Sequence, residues 1–403
     1  MNKSICVALS LYALAQIAVT GAATEPQVPM ASAVREGRYA PKGEIGEGPP
    51  VISPDGKRIA VVEDKRRLVV LDSQGHTIWT YKAPKHLNNL KLWLGEVYQN
   101  SSGITVAKLV VSRPEETETE GYPFVLLGFD KAGRRLWKQE ARQAPDSLTI
   151  PAASGHTMLS IGWDGISLFD ARNGRTIWSK PKEGGVVGAL SPDGEYAVVT
   201  TEEGVKVIDK TGRVVWSAPI KADMLAITNS GRGVAAFRVE EGPPLKEILS
   251  LFDASGKELW QREVWARGMA LDANGERLLV AENSWKRQII YLFDRSGSVI
   301  WESPENLGVW DDEILWLSQD GRRGAFGLTK GETRTLYLLG PEGKPIRRAL
   351  LPQGWGIMSA DGERLVVKGR EVSMHRVPWI TLPSQDGGAG PPTQGAQVGR
   401  RWI

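Results

Sequence analysis

Three observations predict an all-β chain built as one closed ring of like units. The phrase Asp, two or three residues, Gly, three residues, Trp recurs six times along 403 residues. A second turn phrase, of the type Ser-Pro-Asp-Gly, recurs at a spacing of about 44 residues, the period of a four-stranded unit. Apolar, β-branched runs lie between the two phrases, too short for helices and bounded by turn residues, and they read as strands. Together these features predict a single β-propeller of four-stranded antiparallel blades, eight in number, with seven as the alternative.

Each unit is expected to be a meander of strands A to D. In the fourth unit, residues 186–190, 196–200, 205–208 and 213–216 supply them in order. The A–B turn carries the second phrase: Ser53-Pro-Asp55-Gly56, Ser191-Pro-Asp193-Gly194, Asp272-Ala-Asn274-Gly275, Ser318-Gln-Asp320-Gly321 and Ser359-Ala-Asp361-Gly362. Weaker copies stand at Ser101-Ser-Gly103, Ser154-Gly155 and Asn229-Ser-Gly231. The C–D turn and strand D carry the first phrase: Asp72, Gly75 and Trp79, then Asp130, Gly133 and Trp137, then Asp170, Gly174 and Trp178. It continues with Asp209, Gly212 and Trp216, Asp253, Gly256 and Trp260, and Asp294, Gly297 and Trp301. A seventh, degraded copy ends in Arg347 where the Trp should stand. The eighth unit lacks a D strand, and segment 34–42, which has no partners of its own, is expected to supply it and close the ring.

Turn chemistry gives the three recurring residues separate duties. The Asp carboxylate accepts a hydrogen bond from a backbone N–H two residues on, and Gly supplies the positive φ of a tight hairpin. The Trp is carried on outer strand D toward the neighbouring blade, and burying it removes about 150–250 Å² from water.

Asp253-Ala-Ser-Gly256-Lys257-Glu-Leu-Trp260 resembles the tryptophan-docking motif of the pyrroloquinoline-quinone (PQQ) type repeat, and the Ser-Pro-Asp-Gly phrases resemble those of WD-type bacterial propellers. The likeness runs from about Pro49 to Val377 and implies the propeller of the quinoprotein-alcohol-dehydrogenase-like superfamily. In repeat, blade number and length the chain is similar to the eight-bladed lipoproteins that assist outer-membrane β-barrel assembly, but it lacks their lipobox cysteine. PQQ dehydrogenases of the superfamily typically use a vicinal disulfide and a calcium site of Glu, Asn and Asp. This chain has one cysteine, Cys6, so it cannot form such a disulfide.

The ends read as separate segments. Residues 1–23 have the charge, apolar stretch and small-residue layout of a signal peptide, with Cys6 inside it, and an exported periplasmic or secreted product is expected. Residues 24–48 form an N-terminal segment with the closing strand, 49–380 the propeller, and 381–403 a Gly/Pro-rich tail expected to be disordered. With 50 Lys+Arg against 47 Asp+Glu and no dense basic run, nucleic acid is excluded as an expected partner. No later stretch is long enough for a transmembrane span. A monomer is expected.

In this meander the A–B and C–D turns share one face, and the D–A and B–C loops share the other. Variation, and hence recognition, belongs to the loop face. Candidate binding residues there are Trp265, Arg267, Trp285, Trp310, Asp311, Glu313 and Trp355, tryptophans beside charges of the kind that sugar stacking or a peptide anchor uses. The acidic run Glu115, Glu116, Glu118 and Glu120 marks one B–C loop. Four scattered histidines (His76, His86, His156, His375) have no ligand spacing, and no metal or catalytic residue is assigned.

The expectation is an exported, non-enzymatic scaffold that binds a protein or glycan partner in the cell envelope, without a cofactor. The alternative is an enzyme of the central channel, either a small quinoprotein with PQQ and calcium or a carbohydrate-active hydrolase or lyase. Asp223, Arg267, Asp311 and Glu313 would be its suspects, since each is expected to precede an inner strand.

Overall fold

The computed structural model describes residues 30–379 except 32–33, 43, 45–49, 88–89, 113–121, 144–147, 153–155, 163–164, 182, 241, 244, 284–287, 305–308 and 353. The expected signal peptide, the C-terminal tail and the acidic run 115–120 lie outside the described residues. Eight sheets form the blades of one propeller, spanning 51–82, 90–143, 148–181, 185–218, 224–263, 266–302, 309–351 and 355–376, the last joined by Val34–Tyr39. The helical content among the described residues is the single turn Asn229–Gly231.

The first blade shows how a unit is made. Strands Val51–Ile52, Arg58–Glu63, Arg67–Asp72 and Thr77–Lys82 pair antiparallel in chain order. Each middle strand is buried on both faces, because a blade lies between two others. Ile59 and Val61 pack toward the eighth blade, while Ala60 and Val62 pack toward the second. This explains why the strand runs are continuously apolar instead of alternating with polar residues. The core is therefore a set of eight slabs, one per joint between consecutive blades.

Two sheets depart from four strands. In the second, His86–Leu87 adds a short inner strand to Leu90–Gln99. In the seventh, Met30–Ala31 lies parallel to Pro345–Leu351 as a fifth, outermost strand, Met30 opposite Arg348. The chain then crosses to the eighth blade, where Val34–Tyr39 runs antiparallel to Val372–Arg376 as strand D. The eighth blade is thus assembled from both ends of the described chain and has no covalent C–D hairpin.

The D strands share a β-bulge. Val70 pairs with Trp79 and Leu71 with Thr77, leaving Ile78 as the extra residue, and the same shift recurs in blades 2 to 7. In the closing strand Arg35 pairs with His375 and Gly37 with Met374, so Glu36 is the bulged residue. Gly37 consequently stands where blades 1 to 6 carry Trp.

Candidate binding mouth

On the turn face the recurring phrase is a mechanical part. Asp72 Oδ1 accepts the N–H groups of Gln74 and His76, both at 2.9 Å, and Asp130 does the same for Ala132 and Arg134. The Arg134 backbone N–H, the Arg172 guanidinium and the Ser255 hydroxyl hold Asp130, Asp170 and Asp253, respectively, below the usual carboxylate range. Asp209 Oδ1 and Asp294 Oδ1 accept N–H groups four residues on, at 3.1 and 2.8 Å. The glycines Gly75, Gly133, Gly174, Gly212, Gly256 and Gly297 all have φ between 70° and 88°.

Five of the six tryptophans cross the joint to lie on the next blade's turn glycine. A Cβ built on Gly133 would stand 2.6 Å from the Trp79 ring, and Gly174, Gly212, Gly256 and Gly297 are closed in the same way by Trp137, Trp178, Trp216 and Trp260. The indole N–H of Trp137 and of Trp260 donates to the carbonyl one residue after the neighbouring Asp, Ala171 at 2.8 Å and Arg295 at 3.1 Å. Trp301 faces Phe326 at 5.9 Å, and Gly343 is covered instead by Leu292 and Ile300.

The A–B turns use a serine clamp. Ser53, Ser191, Ser318 and Ser359 each donate to the Asp two residues on, and each accepts the N–H five residues on. In the sixth blade Asp272 takes the serine's place, accepting from Glu276 and Arg277. Burial pushes its carboxyl up to about 6.

On the loop face the described candidates converge at the sixth blade. Trp265 is half-buried between Glu258–Glu263 and Ala266–Leu271, and the Arg267 guanidinium lies over its ring at 5.7 Å. Arg267 is exposed because it is a bulge residue: Ala266 pairs with Glu282 and Gly268 with Ala281, so Arg267 is pushed out of the ladder. Asp223 has a structural task, its Oδ2 accepting the Val239 N–H at 2.9 Å. Trp310, Asp311 and Glu313 lie in Val309–Leu317, and Trp355 opens Trp355–Met358, but their side chains lie outside the described residues, as does the whole of Trp285. Between the pairs Trp310–Leu328 and Leu315–Phe326 the register shifts, so Asp311 and Glu313 share the irregular segment.

Sequence reasoning missed a comparable feature in the second blade. Leu90–Gln99 is bulged between Leu94 and Val97, which turns Glu96 out. Glu96 accepts from the Tyr98 hydroxyl and from Lys108 Nζ at 3.3 Å. Burial, reinforced by Glu96, drives the Tyr98 phenol well above its usual range. The signal was there to read: Glu96 and Lys108 are charges set between apolar neighbours in their strands.

A calcium-bound quinone needs a set of oxygen ligands. Among the described residues no group of three or more His, Cys, Asp or Glu is placed to hold a metal ion. Asp223, a suspect for such a site, accepts the Val239 N–H through Oδ2.

Fold and repeat define the class: an eight-bladed propeller of the PQQ and WD repeat type. Residues 124–242, less than a third of the chain, match the family described as PQQ_2, outer membrane protein assembly factor BamB. No curated protein matches the chain in sequence. Among solved structures it is similar to BamB from Moraxella catarrhalis, with 16% identity and a TM-score of 0.51 over 87% of this chain and 100% of that one. It is also similar to the C-terminal WD40 domain of Sif2, with 12% identity and a TM-score of 0.62 over 87% of this chain and 99% of that one. Chaetomium thermophilum Sqt1, bound to the N-terminus of ribosomal protein L10, gives 13% identity and a TM-score of 0.56 over 86% and 100% of the two chains. At these identities the likeness concerns the fold. No described helix is long and apolar enough to cross a membrane.

Proposed function

We propose that this protein is an exported, non-enzymatic scaffold of the cell envelope that holds a protein or glycan partner at the loop-face mouth of blades 5 to 7. The observation that carries this reading is the bulge at Arg267, which lifts a guanidinium out of an inner strand and lays it over Trp265. An aromatic with one apolar face and an adjacent cation suits a sugar ring or an anchoring peptide side chain. The propeller fold and the match over 124–242 are consistent with a scaffold role.

The test is a photo-crosslinking amino acid placed at Arg267 and, as a control, at Lys257 on the turn face. A discrete envelope adduct formed from 267, absent from 257 and abolished by Trp265→Ala is the expected result. Labelling that is equal from both sites, or unchanged by Trp265→Ala, would overturn the reading. The enzyme alternative predicts a spectral or melting shift when the protein is mixed with PQQ and calcium, and none is expected.

A further inference from the structure

We propose that the outer rim of blades 2 to 4, at its turn-face edge, docks on an anionic lipid bilayer. The charge there follows from the turn chemistry. Asp130, Asp170 and Asp209 are drawn inward by the backbone N–H groups they accept, leaving 15%, 13% and 16% of their side chains exposed. Their arginine partners Arg134, Arg172 and Arg213 remain 83%, 58% and 78% exposed. Each pair is formally neutral, yet its positive end is the one presented to solvent.

Lys131, Arg135 and Arg175 add exposed cations to the same arc. The chain as a whole carries only +3, so this is a segregation of charge and not a general excess. Elsewhere the equivalent turns are mixed, with Glu258 beside Lys257 and Glu342 beside Lys344.

A second, independent feature joins the charge on this arc, one that the bulge also produces elsewhere on the rim, as at Ile78 of blade 1, exposed by 43%. The D-strand bulge turns out the residue before each Trp, exposing Leu136, Ile177 and Val215 by 48%, 40% and 42%. Cation followed by protruding aliphatic therefore repeats three times on a convex edge. A convex edge offers no groove to grip an acidic peptide. Lipids adapt laterally to three repeated contacts, accepting cations at the phosphate level and aliphatic side chains beneath it. The inference does not depend on which partner the opposite face takes.

The experiment is co-sedimentation of the full mature chain with phosphatidylglycerol-containing vesicles and with pure phosphatidylcholine vesicles. Several cations act together near an anionic surface, so binding to phosphatidylglycerol only is expected, weakening about tenfold or more as salt rises. Lys131→Glu with Arg135→Glu and Arg175→Glu is expected to abolish binding. The milder Lys131→Gln, Arg135→Gln, Arg175→Gln chain serves if the reversal does not fold. Leu136→Ser with Ile177→Ser and Val215→Ser is expected to weaken binding several-fold while keeping its salt dependence. Arg295→Glu with Lys344→Glu, on blades 6 and 7, is expected to bind like the parent. No binding to phosphatidylglycerol at low salt would overturn the proposal, as would equal losses from both arcs. So would capture by a polyglutamate resin with vesicles ignored, which would assign the rim to an acidic protein.

Discussion

The joints between blades 1 to 6 and the two joints around blade 8 do the same job by different means. In the regular joints an outer-strand Trp lies on the glycine of the next C–D hairpin. Blade 8 has no C–D hairpin, because its strands C and D come from opposite ends of the described chain. There is then no turn glycine for a Trp from blade 7 to cover. Arg347 stands in that place, and its Nη1 donates to the Pro378 carbonyl at 2.8 Å. The indole contact moves one turn inward: Trp316 of inner strand Val309–Leu317 covers Gly362 of the A–B turn, and Trp379 packs beside it at 5.9 Å. At the joint from blade 8 to blade 1 none of the described indoles is used. A Cβ on Gly37 would stand 2.3 Å from the Gln74 backbone, and one on Gly75 would stand 2.4 Å from the Arg38 carbonyl oxygen. The closing strand is seated backbone to backbone and tied at its far end by the Tyr39 hydroxyl, which donates to buried Glu63 at 2.6 Å.

The difference teaches that the tryptophan contact belongs to the hairpin it covers, and substitutions can break that comparison in order of size. Trp216→Ala removes an indole that is 93% buried at a regular joint. It is expected to cost about 3–5 kcal/mol, read as a lower midpoint in urea. Gly37→Ala at the closing joint forces two backbones apart and is expected to cost about 1–3 kcal/mol. Its hydrogen exchange should rise in Val34–Tyr39 and Val372–Arg376, whereas Trp216→Ala leaves those two strands protected; equal protection in both variants would refute the distinction.

Asp272→Ser installs the hydroxyl that accepts the N–H five residues on in four other A–B turns, with Asn274 standing in the place of their Asp. The folded protein holds the Asp272 proton more tightly than an unfolded chain, so its stability falls as pH rises from 3.8 toward about 6. At neutral pH the buried carboxylate costs up to about 3 kcal/mol. The serine chain is therefore expected to melt higher than the parent at pH 7 and to lose most of that advantage near pH 4. Tyr39→Phe is the smallest change, costing about 1 kcal/mol for one hydrogen bond. Burial and the contact with Glu63 push the Tyr39 phenol up to about 12 from 10.0, so the folded ring resists losing this proton. Parent stability should decline between pH 10 and 12 by an increment that the Phe variant lacks.

The regular joints were legible in the sequence because every part of them is local. Asp, Gly and Trp lie within nine residues of one another, and the chemistry that selects them is that of a single hairpin. Segment 34–42 could be placed only because one unit lacked a strand. That Gly37 occupies the tryptophan position, and that Arg347 answers a missing turn, depend on pairing across the whole chain, which no local phrase records. The mouth was legible as composition and not as geometry. Trp265 and Arg267 were visible as a pair, but the bulges that expose Arg267 and Glu96 are register shifts, and those follow from how neighbouring strands align. The fifth strand of blade 7, Met30–Ala31, left no signal in a two-residue ladder.

The two-ended eighth blade also orders events in time. Glu371 meets Arg35 across a separation of 336 residues, so the earlier strand waits unpaired while the chain between them is made. Joining such distant segments exacts a loop-closure entropy that local hairpins avoid, and it slows the final step. Until then seven blades form an open arc whose two end sheets each have one apolar face uncovered. A chaperone that engages the chain before closure would meet that arc, and the closing of the last joint would be the event that hides it.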